Sequence, residues 1–271
     1  MPYGMLAGNG RFPMLALESA RRLGVEVVVI GIEEEVAPEV LSAVPKSHKI
    51  SLGALSKLID ICKSEGITQL MMCGQVKHTK IFSAIRPDWR LIKLLAALDS
   101  KNTDALIGGV AKVLEDEGID LVDSTLLLKE LLAPVGVLTK RKPTSDELKE
   151  LAYGRRIANS MASFDIGQSV VISDRACVAL EAMEGTDAIL RRAAELTGGT
   201  PLRLVKSSRR RKHLLFDVPV LGLNSVEVMR QTNTTVASFD AGRTLLLDRS
   251  ELIAEANKAG IALVGVAPAE D

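Results

Sequence analysis

Aromatic residues are scarce in this chain of 271 residues, with one Trp, two Tyr and five Phe, so base-stacking platforms of the kind that hold single strands are not expected. Net charge is missing as well. Thirty-four Lys and Arg balance thirty-four Asp and Glu, which removes the broad positive field of a general nucleic-acid binder and leaves only local patches; no nucleic-acid partner is expected. Three cysteines, Cys62, Cys73 and Cys177, stand far apart without CxxC spacing, which argues against a disulfide framework or a Cys-rich zinc site and for a reducing cytoplasm. Three histidines give little material for a His-based metallophosphoesterase. No HExxH, GxSxG, Walker A or full GxGxxG pattern is present, so the common hydrolase, ATP and NAD templates find no support. No stretch approaches 18 apolar residues, and residues 1–10 lack a basic region followed by a long apolar run; neither secretion nor membrane spanning is expected.

What is present is ordinary globular material, 47% hydrophobic and 25% charged, in a length that suggests about two domains. Residues 3–7 read as a strand, Gly8-Asn9-Gly10 as a tight turn, 12–23 as a helix and 25–32 as a β-branched strand covered on both faces, which makes a βαβ opening. The alternation continues with strands at 49–52, 67–72 and 119–122 and helices at 54–65, 90–98 and 103–117. Then comes a stretch with Pro134, Gly136 and Lys140-Arg141-Lys142-Pro143, followed by a helix capped by Thr144-Ser145-Asp146-Glu147 and running to about 163. The rest reads as a hairpin at 169–172 and 176–182, helices at 187–196, near 224–227 and at 248–259, and strands at 202–206, 217–221, 235–237, 244–247 and 261–266. The expected fold is α/β in two domains: an N-terminal Rossmann-like parallel sheet over 1–125, a linker and connecting helix over 126–163, and a C-terminal mixed α/β domain over 164–271.

Several loops are anion-friendly. Gly8-Asn9-Gly10 offers unpaired amides and the positive end of a helix dipole, against the plainer reading of a tight turn. Lys77, in Gly74-Gln75-Val76-Lys77-His78 after a parallel strand, is a phosphate candidate, against a solvated lysine. Arg86-Pro87-Asp88-Trp89-Arg90 packs the sole tryptophan among charges, where a structural Trp behind an N-cap aspartate is the safer reading. In Ala182-Met183-Glu184-Gly185-Thr186-Asp187, Thr186 or Asp187 caps a helix while Glu184 projects into a cleft, or Glu184 and Asp187 supply oxygens to a divalent ion. Lys206-Ser207-Ser208-Arg209-Arg210-Arg211-Lys212-His213 concentrates positive charge suited to phosphate or an anionic membrane, against an exposed basic loop. Asp217 opens the apolar stretch that follows.

These motifs in this order resemble the LpxI family of UDP-2,3-diacylglucosamine pyrophosphatases of lipid A biosynthesis. The resemblance rests on Leu6-Ala7-Gly8-Asn9-Gly10-Arg11-Phe12-Pro13, Arg86-Pro87-Asp88-Trp89, Leu132-Ala133-Pro134-Val135-Gly136-Val137-Leu138-Thr139 and Asp165-Ile166-Gly167-Gln168-Ser169-Val170-Val171. It continues through Val178-Ala179-Leu180-Glu181-Ala182-Met183-Glu184-Gly185-Thr186-Asp187 and Phe216-Asp217-Val218-Pro219-Val220-Leu221-Gly222. It implies hydrolysis of UDP-2,3-diacylglucosamine to UMP and 2,3-diacylglucosamine 1-phosphate, called lipid X, with Mg²⁺ or another divalent cation such as Mn²⁺. It also implies Asp217, from F-D-x-P, as the catalytic carboxylate, the C-terminal domain over 164–271 as the catalytic domain, and a ligand cleft between the two domains. The candidate substrate-binding set is Gly8, Asn9, Gly10, Lys77, Arg86, Gln168, Gly185, Thr186, Lys206 and Arg209, and the candidate metal ligands are Asp217, Glu184 and Asp187. A cytoplasmic enzyme peripherally associated with the inner membrane follows, with homo-oligomerisation left open. Relatives often carry K-P-x-Q-D-x-R before F-D, where this chain reads Arg209-Arg210-Arg211-Lys212-His213-Leu214-Leu215. The alternative is therefore a non-catalytic binder of a nucleotide sugar or acylated glycolipid, and a third reading is a hydrolase or nucleotidyltransferase acting on another phosphorylated substrate.

Overall fold

A computed structural model describes residues 1–76, 87–98, 103–164, 166–208 and 218–268. The chain divides into two compact units, the first Met1–Leu128 and the second beginning at Lys129. The first unit alternates strand and helix: β1 Tyr3–Ala7, α1 Phe12–Leu23, β2 Val27–Ile32, α2 Pro38–Ser42, β3 Ser47–Ile50, α3 Leu55–Ser64 and β4 Gln69–Cys73. It ends with α4 Trp89–Ala97, α5 Thr103–Asp116 and β5 Asp120–Val122. All strand pairs are parallel, in the order β3-β2-β1-β4-β5. Helices cover both faces, which is why β2 is an unbroken run of buried Val and Ile rather than an alternating one. One face is filled by Val28, Ile30 and Leu70 against Leu55, Leu58, Ile59 and Cys62 of α3 and Leu91 of α4. Burial pushes the Cys62 thiol up to about 11 and the Cys73 thiol higher still, so both act as small apolar side chains.

Helix α4 starts where the sequence puts an N-cap: Asp88 accepts from the Leu91 amide at 3.0 Å and from the Ser56 amide. Trp89, however, is 75% exposed and no core residue, because the first helical position faces away from the sheet while Leu91 points in. Glu117 bonds both Lys63 of α3 and Arg90 of α4, tying those two helices together, and these two cations hold its carboxyl below the usual range.

The second unit holds β6 Gly136–Val137, α6 Ser145–Ser163, β7 Ser169–Ser173, β8 Ala176–Leu180, α7 Thr186–Leu196, β9 Leu202–Lys206, β10 Val220–Leu221 and α8 Leu223–Gln231. It closes with β11 Thr234–Asp240, β12 Leu245–Leu246, α9 Arg249–Lys258 and β13 Ala262–Val266. Its main sheet runs β6-β13-β11-β9-β7-β8 and is mixed: β13, β11 and β9 are parallel, while β6, β7 and β8 join antiparallel. The β7–β8 hairpin turns on Asp174 and Arg175, both at positive φ, as a two-residue turn that matches strand twist requires. Asp217, the first residue of the strand expected at 217–221, lies outside the described residues, and the described strand is the pair Val220–Leu221 alongside β12.

Helix α6, in the segment that the sequence assigns to a connection, packs on the second sheet: Leu151, Ala158 and Met161 meet Val170, Ile172, Val205 and Val236. Its start is the expected capping box, with the Glu147 amide donating to Thr144 Oγ1 and the Thr144 amide to Glu147 Oε2. Burial works to raise the Glu147 carboxyl, but bonds from Arg141, Thr235 and Thr144 outweigh it and hold the group below its usual range. The opposite face is packed by α7, α8 and α9 through Ile189, Leu190, Met229 and Leu252 against Val171, Leu204 and Phe239.

Candidate functional site

In the first unit, β1 borders β2 on one side and β4 on the other, so the crevice beyond their carboxyl ends is the switch point of the sheet. Gly8-Asn9-Gly10 follows β1 and Gly74-Gln75 follows β4, and the two loops cross in contact. The Gly8 amide donates to Cys73 O at 2.8 Å, the Asn9 amide to Gln75 O at 2.8 Å and the Gln75 amide to Asn9 O at 3.0 Å. The Gly10 amide donates to Asn9 Oδ1 at 2.6 Å, and Asn9 Nδ2 donates to Glu35 Oε2 at 3.2 Å. The amides of Gly8, Asn9 and Gly10, which the sequence offers as unpaired, are therefore all engaged within the chain. The crossing itself explains the glycines: a Cβ on Gly8 would lie 2.5 Å from Gln75 O, and one on Gly74, at φ +95°, 2.6 Å from Asn9 O. Gly8→Ala is expected to cost about 1–3 kcal/mol by overpacking, read as an earlier urea midpoint. An unchanged midpoint would refute the crossing. Lys77 and Arg86 lie outside the described residues.

In the second unit the antiparallel neighbour matters. Because β7 runs against β9, Ser169 at the start of one strand stands opposite Lys206 at the end of the other. Lys206 shares the sheet face of Leu202 and Leu204, toward α7. Its Nζ donates to Thr186 Oγ1 at 2.9 Å and approaches Ser169 Oγ at 3.4 Å. Thr186 in turn donates to Glu181 Oε1 at 2.9 Å and lies 3.1 Å from Ser169 Oγ. Gln168, beside Ser169, accepts from the Ser207 amide through its carbonyl at 2.8 Å. Gln168, Gly185, Thr186 and Lys206 thus converge at one edge, and Arg209 lies outside the described residues.

Thr186 does not cap α7. The N-cap is Gly185, at φ 86°, and it has no side chain to accept from the first-turn amides. The helix therefore starts without a capping oxygen, its positive end next to the Lys206 ammonium, which suits an anion. Glu184 and Asp187 face other partners. The Glu184 side chain accepts from the Ala182 amide at 2.9 Å and pairs with Arg192 at 3.3 Å, and its own amide and that of Ala182 hold its carboxyl low. Asp187 accepts from Asn224 at 2.6 Å. Among the described residues no group of three or more His, Cys, Asp or Glu is arranged to hold a metal ion, and Asp217 lies outside them. The described side chains do not make a divalent-cation site by themselves.

On the other sheet face, toward α6, Asp240 ends β11 at 2% exposure. It accepts from the Ser208 amide and hydroxyl, both at 2.7 Å, from Ser207 Oγ at 3.4 Å, and from Arg155 of α6. Sequence reasoning missed two of the buried carboxylates, Glu181 and Asp240. Period-two alternation along β8 points Glu181 inward after exposed Leu180, and Asp240 stands at the carboxyl end of a buried parallel strand; both signals were available.

Comparison with known proteins gives a consistent result. A family model described as LpxI N-terminal domain matches residues 2–131, and one described as LpxI C-terminal domain matches residues 134–264. A protein of Caulobacter vibrioides named UDP-2,3-diacylglucosamine pyrophosphatase LpxI is 28% identical over 277 residues, covering 98% of both chains. Among solved structures, a complete multifunctional pyruvate carboxylase from Rhizobium etli aligns at 12% identity and TM-score 0.30, covering 66% of this chain and 15% of that one. Phosphoribosylglycinamide synthetase from Anaerococcus prevotii aligns at 11% identity and TM-score 0.26, covering 72% of this chain and 34% of that one. This chain spans about a third of one of those proteins and 15% of the other, and scores so low carry no argument.

Proposed function

Because the chain belongs to the LpxI family, we propose that it hydrolyses the pyrophosphate bond of UDP-2,3-diacylglucosamine to UMP and 2,3-diacylglucosamine 1-phosphate, the lipid X of lipid A biosynthesis. The observation that carries the reading is the match to both family domains along nearly the whole chain, with a relative named for that activity. The second unit supplies support from chemistry: Lys206 and the uncapped start of α7 face the same edge and suit the charge of a diphosphate. Asp217 orients and deprotonates the attacking water, one phosphorus–oxygen bond forms and the bridging one breaks, and Lys206 with the first-turn amides of α7 bears the charge that develops. A divalent cation, Mg²⁺ or Mn²⁺, belongs to the proposal as further charge neutralisation when bound. Gln168, Gly185, Thr186, Lys206, Lys77, Arg86 and Arg209 are proposed as substrate-binding residues.

A diacylated substrate resides in a membrane, so we propose cytoplasmic, peripheral association with the inner membrane. Among the described residues no helix is long and apolar enough to cross one. Exposed Phe164, Ile166, Leu180 and Met183 support a lipid-facing surface on the second unit.

The basic run Arg209-Arg210-Arg211-Lys212-His213, standing where relatives often carry a polar pair, favours a second reading: a non-catalytic binder of the same ligand class. One assay decides between them. The purified chain is expected to release UMP from UDP-2,3-diacylglucosamine, to stop in EDTA and to recover with added Mg²⁺. Binding without turnover would establish the second reading, and turnover of soluble UDP-sugars with indifference to acyl chains would overturn both.

A further inference from the structure

Glu181 is 91% buried and directly follows β8, with its amide donating to Ser169 O at 2.9 Å across the hairpin. Its Oε1 accepts from Thr186, while Oε2 is buried with no hydrogen-bond partner among the described residues. Leaving a carboxylate oxygen unpartnered in the interior costs about 1–3 kcal/mol or more, and such groups in a folded chain call for an explanation.

The directions of the protons supply one. A carboxylate only accepts, and a threonine hydroxyl has one proton and two lone pairs. With that proton given to Glu181, Thr186 Oγ1 offers only lone pairs to its other neighbours. Lys206 Nζ, at 2.9 Å, must then donate to it, and Ser169 Oγ, at 3.1 Å, must do the same, which leaves a Ser169 lone pair toward Nζ. The network therefore runs one way, from Lys206 through the two hydroxyls to Glu181. Two ammonium protons are held by hydroxyls, and the third has no partner among the described residues, which suits a ligand.

Among the described residues Lys206 forms no direct ion pair, so its charge is not cancelled by contact with a carboxylate. The Thr186 hydroxyl stands between cation and carboxylate as a spacer. A direct pair would compete with an incoming anion, whereas a hydroxyl-bridged one holds the ammonium in place and leaves it available.

We propose that Glu181 is a positioning residue that acts through Thr186 to orient the Lys206 ammonium toward a phosphate oxygen of the ligand. The inference rests on the reading that Lys206 faces the diphosphate, and its ligand class is a phosphorylated or pyrophosphorylated small molecule. Glu181 touches no reacting atom; its effect is on the direction and availability of one N–H.

The test is anion binding, independent of turnover. Inorganic pyrophosphate is titrated calorimetrically into the full chain and into Glu181→Gln, Thr186→Val and Thr186→Ser. Glutamine and valine at these positions are each expected to weaken binding about tenfold, the scale of one hydrogen bond to a charged group. Thr186→Ser, which keeps the hydroxyl, is expected to recover most of the loss seen in Thr186→Val. In the hydrolytic assay Glu181→Gln is expected to raise KM far more than it lowers kcat. A purely structural role would not split the two constants in this way. Equal pyrophosphate affinity in the parent, Glu181→Gln and Thr186→Val overturns the proposal, as does a parent chain that binds no pyrophosphate. Should Glu181→Gln fail to fold, Thr186→Val against Thr186→Ser decides alone, and equal affinity there overturns it. A parent chain that binds pyrophosphate in this pattern yet releases no UMP would refute the hydrolase reading and leave the Glu181 inference standing.

Discussion

Asp217→Asn is expected to lower UMP release from UDP-2,3-diacylglucosamine by about 10²–10⁴-fold while melting at the parent temperature. The substitution keeps the side-chain volume and removes the charge and the basic oxygen, so a residue that accepts a proton from water loses that capacity without leaving a cavity. The position follows a run of five cations in eight residues and precedes Pro219, and the resemblance in Phe216-Asp217-Val218-Pro219 is what assigns it the role. Product counting matters more than rate alone: kcat should fall while the affinity for lipid X stays within a few-fold, because the lost interaction belongs to the transition state. Turnover close to the parent would remove Asp217 from the mechanism, whatever the fate of the family assignment.

The largest stability effect is expected at Asp240. Its side chain, 2% exposed, takes two bonds from Ser208 and one from Ser207 and faces the guanidinium of Arg155, itself largely buried. Asp240→Ala strands that guanidinium and the Ser208 amide together, and removing one partner of a buried ion pair costs about 3–5 kcal/mol. Urea unfolding followed by circular dichroism reads this directly, as an earlier midpoint at unchanged slope. The companion variant Arg155→Met with Asp240→Leu should recover a large share, since an apolar pair of similar size leaves no charge unmatched. A loss below about 1 kcal/mol for Asp240→Ala would mean that water already reaches the pair.

Much of this architecture is legible in the chain. Unbroken β-branched runs such as 27–32 mark strands covered on both faces, and the Thr144–Glu147 capping box and the Asp88 N-cap start their helices where the residue types place them. The antiparallel entry of β7 beside β9 is not legible, because strand order depends on contacts distant in sequence, and it is this pairing that sets Ser169 opposite Lys206. In the Glu181–Asp187 stretch the spacing draws attention to Glu184, next to Gly185. The strand alternation instead sends Glu181 inward and leaves Glu184 to Arg192. Strand β11 runs through Asp240, three residues past the expected 235–237, because Ser238 and Asp240 interrupt an apolar pattern while facing α6. A polar residue on a buried strand reads as an end until its partner is known. The amides of Gly8–Gly10 illustrate the converse: a turn that looks open to ligands is closed by a second loop 65 residues away, Gly74-Gln75.

Strand β9 is tied to both neighbouring strands as it ends: the Ser207 amide is taken by the Gln168 carbonyl beside β7 and the Ser208 amide by Asp240 of β11, while Val220–Leu221 has a partner in Leu245–Leu246. The described ends on either side of the intervening stretch are therefore anchored independently, each by partners inside the second unit.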